Sequence, residues 1–146
     1  MIQQIIKGIF TLIFLSISSI AFANVQGTWK SFDDATGKAK AIVKITRVNG
    51  EYLGTIESLI NPSEPNPTCQ NCIGDKKDKP IIGMTILSGI RDGANGNFTR
   101  GVILDPKNGK VYKAIIGLHS DGEKLNVRGY FGLPMLGRTQ TWQRQK

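Results

Sequence analysis

Apolar and polar residues alternate along most of this chain with a period of two. Ala39, Ala41, Val43 and Ile45 alternate with Lys40, Lys44 and Thr46. In an extended backbone successive side chains point to opposite faces, so the spacing predicts a strand with one apolar and one wet face. Asn49-Gly50 follows. That dipeptide takes the positive φ angles of a tight hairpin and predicts that Glu51 to Ser58 returns antiparallel beside the preceding strand. Gly27 to Phe32, Ile81 to Ile90, Asn97 to Leu104, Lys110 to Leu118, Glu123 to Phe131 and Arg138 to Arg144 read as further strands. The last of these are separated by Asp92-Gly93/Asn95-Gly96, Asp105-Pro106-Lys107-Asn108-Gly109 and Asp121-Gly122, residue types that reverse a chain at low cost. No segment keeps a helical period for more than a turn or two. The reading is all-β, an antiparallel up-and-down β-barrel of about eight strands, with a two-sheet sandwich as the alternative. An eight-stranded barrel has an interior that side chains fill or that holds one small ligand.

Two segments break the rhythm. Leu59 to Pro80 is long, holds Pro62, Pro65, Pro67 and Pro80, and contains both cysteines as Cys69-Gln70-Asn71-Cys72. Loops of this length inside a small domain are usually functional or disordered. The other segment is residues 1–23. Lys7 is its only basic side chain, Gly8 to Ile20 is apolar apart from small hydroxyl residues, and Ala21-Phe22-Ala23 places small residues where a signal peptidase reads. The apolar run is short of the roughly 20 residues a spanning helix needs. A signal peptide over 1–23 is therefore expected, with the mature chain starting at Asn24, one barrel domain over 24–146, and a periplasmic or secreted location without a transmembrane segment after cleavage.

Composition narrows the chemistry. The chain has 19 Lys+Arg against 11 Asp+Glu, one His and two Cys. One imidazole and two thiols exclude sites built from paired histidines, four-thiolate zinc sites and iron–sulfur clusters. Setting 1–23 aside removes Lys7 and no acid, which leaves 18 bases against 11 acids, a net charge of +7. The excess is spread over loops and is not interleaved with stacking aromatics, so no nucleic-acid partner is expected. Such a charge permits attraction to anionic headgroups, polysaccharide or an acidic ligand.

The Cys69/Cys72 pair has three readings. An exported chain favours a local disulfide that stiffens the loop. A thiol redox site would place the first Cys at the start of a helix, which Pro67-Thr68-Cys69 in an all-β chain does not offer. Zinc would need two more ligands, and the spacing of His119, Asp75 and Asp78 does not supply them. Asp92 to Asn97 lacks calcium-loop spacing, since Ala94 and Gly96 occupy the alternate positions. The nucleophile elbow, the phosphate-binding loop and the paired-histidine zinc helix are absent from the sequence. No catalytic residue, metal or cofactor is assigned.

Gly27-Thr28-Trp29 resembles the GxW signature of lipocalin-like barrels, in which the Trp seals the closed end beneath a basic side chain from a late strand. The resemblance implies Trp29 as the barrel-closing residue and Arg144, or else Arg138, as its partner. Further along come Cys69 to Cys72, Leu104-Asp105-Pro106-Lys107-Asn108-Gly109-Lys110-Val111-Tyr112, Leu125 to Gly132, and Leu136-Gly137-Arg138-Thr139-Gln140-Thr141-Trp142. This order is similar to a bacterial exported family known as domain of unknown function 2147, over essentially all of residues 26 to 145. It implies a calycin-type barrel and brings no assigned reaction. The TDY segment of classical lipocalins is missing.

On Glu123 to Phe131, Leu125, Val127 and Phe131 share one face, and Asn126, Arg128 and Tyr130 the other. On the last strand Arg138, Gln140, Trp142 and Arg144 share a face. Such a face is either a solvated exterior, the default for an antiparallel sheet, or the polar end of a cavity. In the second case Arg128 and Arg138 would hold a carboxylate or phosphate while Tyr130 and Trp142 form apolar walls. The leading functional expectation is thus a small binding protein for an apolar or amphiphilic molecule, such as a lipid, with an acidic group in or at the mouth of the barrel. The alternative is an envelope interaction module acting through loop 59–80, and a thiol enzyme is third.

Overall fold

The computed structural model describes residues 24–146; the signal peptide expected over 1–23 lies outside the described residues. Eight strands follow in chain order: β1 (Gly27–Phe32), β2 (Ala39–Val48), β3 (Glu51–Leu59), β4 (Thr85–Arg91), β5 (Gly101–Asp105), β6 (Lys110–Leu118), β7 (Lys124–Tyr130) and β8 (Arg138–Gln145). Each pairs antiparallel with the next, and β8 returns to β1 with Trp29 opposite Arg144, which closes the barrel. The expected up-and-down barrel is therefore present. The β1–β8 ladder excludes the sandwich, because two facing sheets would leave both strands as edges. Among the described residues no helix is long and apolar enough to cross a membrane.

Two strands are shorter than the alternation predicts. Ile81 to Met84 is a turn, with the Met84 N–H donating to the Ile81 carbonyl and the Gly83 N–H to that of Ile56, so β4 begins at Thr85. Asn97 to Arg100 meets β4 only through isolated contacts such as the Asp92–Phe98 bridge, and β5 begins at Gly101. Both runs carry apolar side chains that pack onto the core without joining a ladder: Met84 is buried, and Ile81 and Phe98 are partly so. Their hydrophobicity reports burial, while their backbones make only a few hydrogen bonds to the neighbouring strands, such as the Ile56 N–H to the Met84 carbonyl at 3.0 Å.

Alternation sorts the wall into two faces. Trp29, Val43, Ile45, Leu87, Leu125 and Trp142 point inward and are each at most 1% exposed. Side chains of this size occupy the bore, consistent with the narrow interior of eight strands. The antiparallel order puts the connections 33–38, 60–84, 106–109 and 131–137 at one end, here called the mouth. The hairpin at 49–50, the connections 92–100 and 119–123 and residues 24–26 lie at the other.

That second end is sealed. The Arg144 guanidinium lies 4.3 Å from the centre of the Trp29 ring, a cation–π contact. It also donates to the carbonyls of Gly122 (2.7 Å), Gln26 (2.9 Å) and Asn24. The Trp29 indole N–H donates to the Val25 carbonyl at 2.9 Å. Nearby, the Tyr52 hydroxyl donates to Asp92 at 2.8 Å; burial, and then this bond, hold its pKa above the usual phenol value.

Candidate functional site at the barrel mouth

The register between β7 and β8 decides where the late polar residues go. Leu125 faces Trp142, Val127 faces Gln140 and Gly129 faces Arg138; between them Asn126 faces Thr141 and Arg128 faces Thr139. Directly opposed residues project to the same side. Leu125 and Trp142 are core residues, so Gln140 and Arg138 belong to the inner face, and Arg128, Tyr130 and Thr139 to the outer. The proposed quartet of Arg128, Tyr130, Arg138 and Trp142 is thereby split, which corrects the expectation of one shared face. Parity along each strand was legible, but the one-residue offset between the two strands was not, and such an offset exchanges faces.

Arg128 is engaged on the outer wall, where Nε donates to the Pro134 carbonyl (2.7 Å) and one terminal nitrogen to the Thr139 hydroxyl (2.8 Å). Tyr130 is 2% exposed beside this crossing, and its hydroxyl has no partner among the described residues. Trp142 is buried with its indole N–H bonded to Gln140 at 3.0 Å, so its ring is part of the core and not of an open wall. Arg138 differs from all three. It sits on the inner face at the mouth, is exposed, and forms no side-chain hydrogen bond or ion pair among the described residues.

Around Arg138 the inner wall is apolar. Its partner Gly129 has no side chain, and a Cβ built there would stand 3.5 Å from both Ile103 Cγ2 and Tyr112 Cβ. Tyr112 packs on Phe131 with ring centres 4.5 Å apart and accepts a hydrogen bond from Asn108 at 3.0 Å. The free guanidinium thus stands beside an apolar patch of Gly129, Ile103, Tyr112 and Phe131, here called the notch, where Gly129 contributes no side chain. Sequence reading missed Tyr112 and Gly129; the signal was the alternation of Tyr112 with Ala114 and Ile116 on β6. Two of the mouth's acids are engaged. Asp105 lies 3.8 Å from Lys40 of the non-adjacent β2. Asp33 accepts from Thr36 N–H, the Thr36 hydroxyl and Ala35 N–H, bonds that lower its pKa, the Thr36 backbone bond most.

Loop 59–80 folds back on the β5–β6 turn. Cys69 and Cys72 are joined in a disulfide with Cα atoms 5.3 Å apart, and both are buried. The Cys69 sulfur is 3.4 Å from the Pro106 carbonyl oxygen, and Asn71 Nδ2 donates to the Lys107 carbonyl at 2.9 Å. Gly109, at φ 73°, brings its backbone against Asn71 so closely that any Cβ would strike the Asn71 carbonyl. Leu104 lies on the outer face opposite Val111, yet is 5% exposed where Val111 is 50%. It shares a buried cluster with the two half-cystines. With both thiols in the bond, neither sulfur is left to ligate a metal.

Two clefts open elsewhere. One of about 380 Å³ lies among Lys76, Lys79, Pro80, Ile82 and Met84 in the β3–β4 connection. Another of about 260 Å³ lies between Asn97–Phe98 and the end of β6, beside His119. His119 Nε2 is 3.1 Å from Asn126 Oδ1, which also accepts from the Thr141 hydroxyl at 3.0 Å, so His119 is the donor.

The family described as "Uncharacterized protein conserved in bacteria (DUF2147)" matches residues 27–144. None of the curated proteins matches the chain. Among solved structures, protein HP1028 from Helicobacter pylori, whose title states that it belongs to the lipocalin family, is 18% identical with a TM-score of 0.73 over 84% of each chain. At that identity the likeness is one of fold. The chain is a lipocalin-like barrel.

Proposed function

The chain belongs to the bacterial DUF2147 family, and on that premise we propose that it is an exported binding protein, holding an apolar or amphiphilic molecule by its acidic group at the mouth of the barrel. One observation carries the reading: the unpaired Arg138 on the inner wall, set over the apolar notch of Gly129, Ile103, Tyr112 and Phe131. A guanidinium offers paired donors that match a carboxylate or phosphate, and ligand sites combine an apolar lining with a few such polar groups. The lipocalin-like fold supports binding by analogy. Because side chains occupy the lower bore, the ligand belongs at the mouth.

A second reading, a protein-interaction module acting through loop 59–80, is favoured by Ile73, which stands exposed next to the disulfide. The thiol-enzyme reading has little support, since exchange needs a sulfur that a thiolate can reach and both are buried.

The test is thermal unfolding against a panel of fatty acids and lysophospholipids. A ligand at a hundredfold excess over its Kd should raise the Tm by about 10 °C. Arg138→Gln should remove most of that rise while Arg128→Gln leaves it, since only Arg138 faces the notch. A panel without any rise, or a rise that survives Arg138→Gln, contradicts the proposal.

A further inference from the structure

The connection between β7 and β8 reads Phe131-Gly132-Leu133-Pro134-Met135-Leu136, and its large side chains are turned to solvent. Phe131 is 55% exposed, Leu133 59%, Met135 78% and Leu136 73%. The backbone that presents them is held in place. Residues Pro134–Leu136 form one 3₁₀ turn, the Leu136 and Gly137 N–H groups donate back to Leu133 and Pro134, and Arg128 grips the Pro134 carbonyl from the wall. Gly137 packs so tightly on β7 that a Cβ there would meet the Gly129 carbonyl and Tyr130 Cβ. A fixed turn that displays four large apolar side chains has the character of an interaction site.

The charges beside it are mainly basic. After Asp105 the sequence contains only two acidic side chains, Asp121 and Glu123, and both lie in the β6–β7 connection at the sealed end. Over the same stretch Lys107, Lys110, Lys113, Arg128 and Arg138 stand on the mouth half of β5–β8, and the carboxylates that reach them are Asp105, taken by Lys40, and Asp33, which feels the charge of Lys107. On this side the mouth therefore carries an excess of bases beside the apolar tips.

We propose that the 131–136 turn and the basic residues around it form a docking surface for an anionic lipid bilayer. The pairing of protruding apolar side chains with lysines and arginines is the combination by which proteins lie on a membrane surface, the apolar part entering the headgroup boundary while the bases meet anionic lipids. A turn at a strand connection projects from the barrel rim and offers no groove, which suits a soft planar partner. In this orientation the notch beside Arg138 faces the membrane. The inference does not rest on the ligand proposal, since docking requires no occupied notch.

The test is vesicle flotation of residues 24–146, which close the barrel on themselves. Vesicles of phosphatidylcholine alone are compared with vesicles that also contain phosphatidylglycerol, at low and high salt. The protein should float with the anionic vesicles at low salt, and this should fall steeply at high salt and on neutral vesicles. The variant Leu133→Ser/Met135→Ser/Leu136→Ser should reduce binding at least about tenfold with circular dichroism and Tm unchanged, because all three side chains are exposed. Lys107→Gln/Lys110→Gln, which leaves the turn intact, should reduce it about tenfold as well. Failure to float on anionic vesicles, equal flotation on neutral ones, or full binding by the triple variant would overturn the proposal. So would a dimer of the wild type that the triple variant dissociates, since a second copy would then cover the turn.

Discussion

At the scale of single residues, Arg144 does several jobs with one planar cation. Its guanidinium lies over Trp29 and joins carbonyls from two separate segments, Asn24–Gln26 and the β6–β7 turn. Those carbonyls lie at the end of a barrel whose wall has run out of ladder partners, so the arginine supplies donors that the backbone lacks. Arg144→Ala should cost about 2–4 kcal/mol in urea unfolding followed by tryptophan fluorescence, the range for losing charged hydrogen bonds together with a cation–π contact. Arg144→Lys should recover less than half of that, because one ammonium cannot serve three diverging acceptors. Equal stability of the alanine variant would show that the end is sealed by something else. The partnership was readable from the GxW motif together with a late arginine. What was not readable was which of Arg138 and Arg144 is used, since both lie on the inner face of β8 and only the register with β1 places Arg144 opposite Trp29.

At the scale of elements, the loop between β3 and β4 is the part whose role the sequence left most open. Its prolines and cysteines marked it as irregular, but no local pattern says that Asn71 will reach Lys107 or that Leu104 will be covered on the outer wall. Those contacts join segments more than thirty residues apart, beyond the reach of periodicity. Replacing both cysteines, Cys69→Ala/Cys72→Ala, should lower stability by about 2 kcal/mol and leave amphiphile binding intact. Gly109→Ala should undock the loop from the other side and make the disulfide reducible by dithiothreitol at a lower concentration. A double cysteine variant that keeps full stability but loses binding would move the function into this loop. The strands themselves were legible to the residue at β1 and β6, where polar turn residues such as Asp33-Asp34, Asn108-Gly109 and His119-Ser120 bound them, and least so at β4 and β5, where apolar residues in flanking turns imitate strand.

At the scale of the whole molecule, one ladder turns a series of hairpins into a cylinder, and that closure gives the two ends different properties. The sealed end carries Trp29 and Arg144, and the mouth carries the free Arg138, the apolar notch and the exposed 131–136 turn. Eight strands and their order were legible because every connection but the long one after β3 is short and the alternation repeats. The content of the bore was not, because whether side chains fill an eight-stranded interior depends on how Trp29, Leu87, Leu125 and Trp142 meet across it, and those residues are far apart in sequence. The central claim is that binding happens at the mouth of a filled barrel, and the two tryptophans provide its reporters. In an amide and indole nitrogen–proton NMR titration with a medium-chain fatty acid, the amides of Tyr112, Gly129, Phe131 and Arg138 should shift together while the buried indole signals of Trp29 and Trp142 stay in place. Movement of both indole signals along with the Val43 and Leu125 amides, or no response at the mouth, would contradict the account.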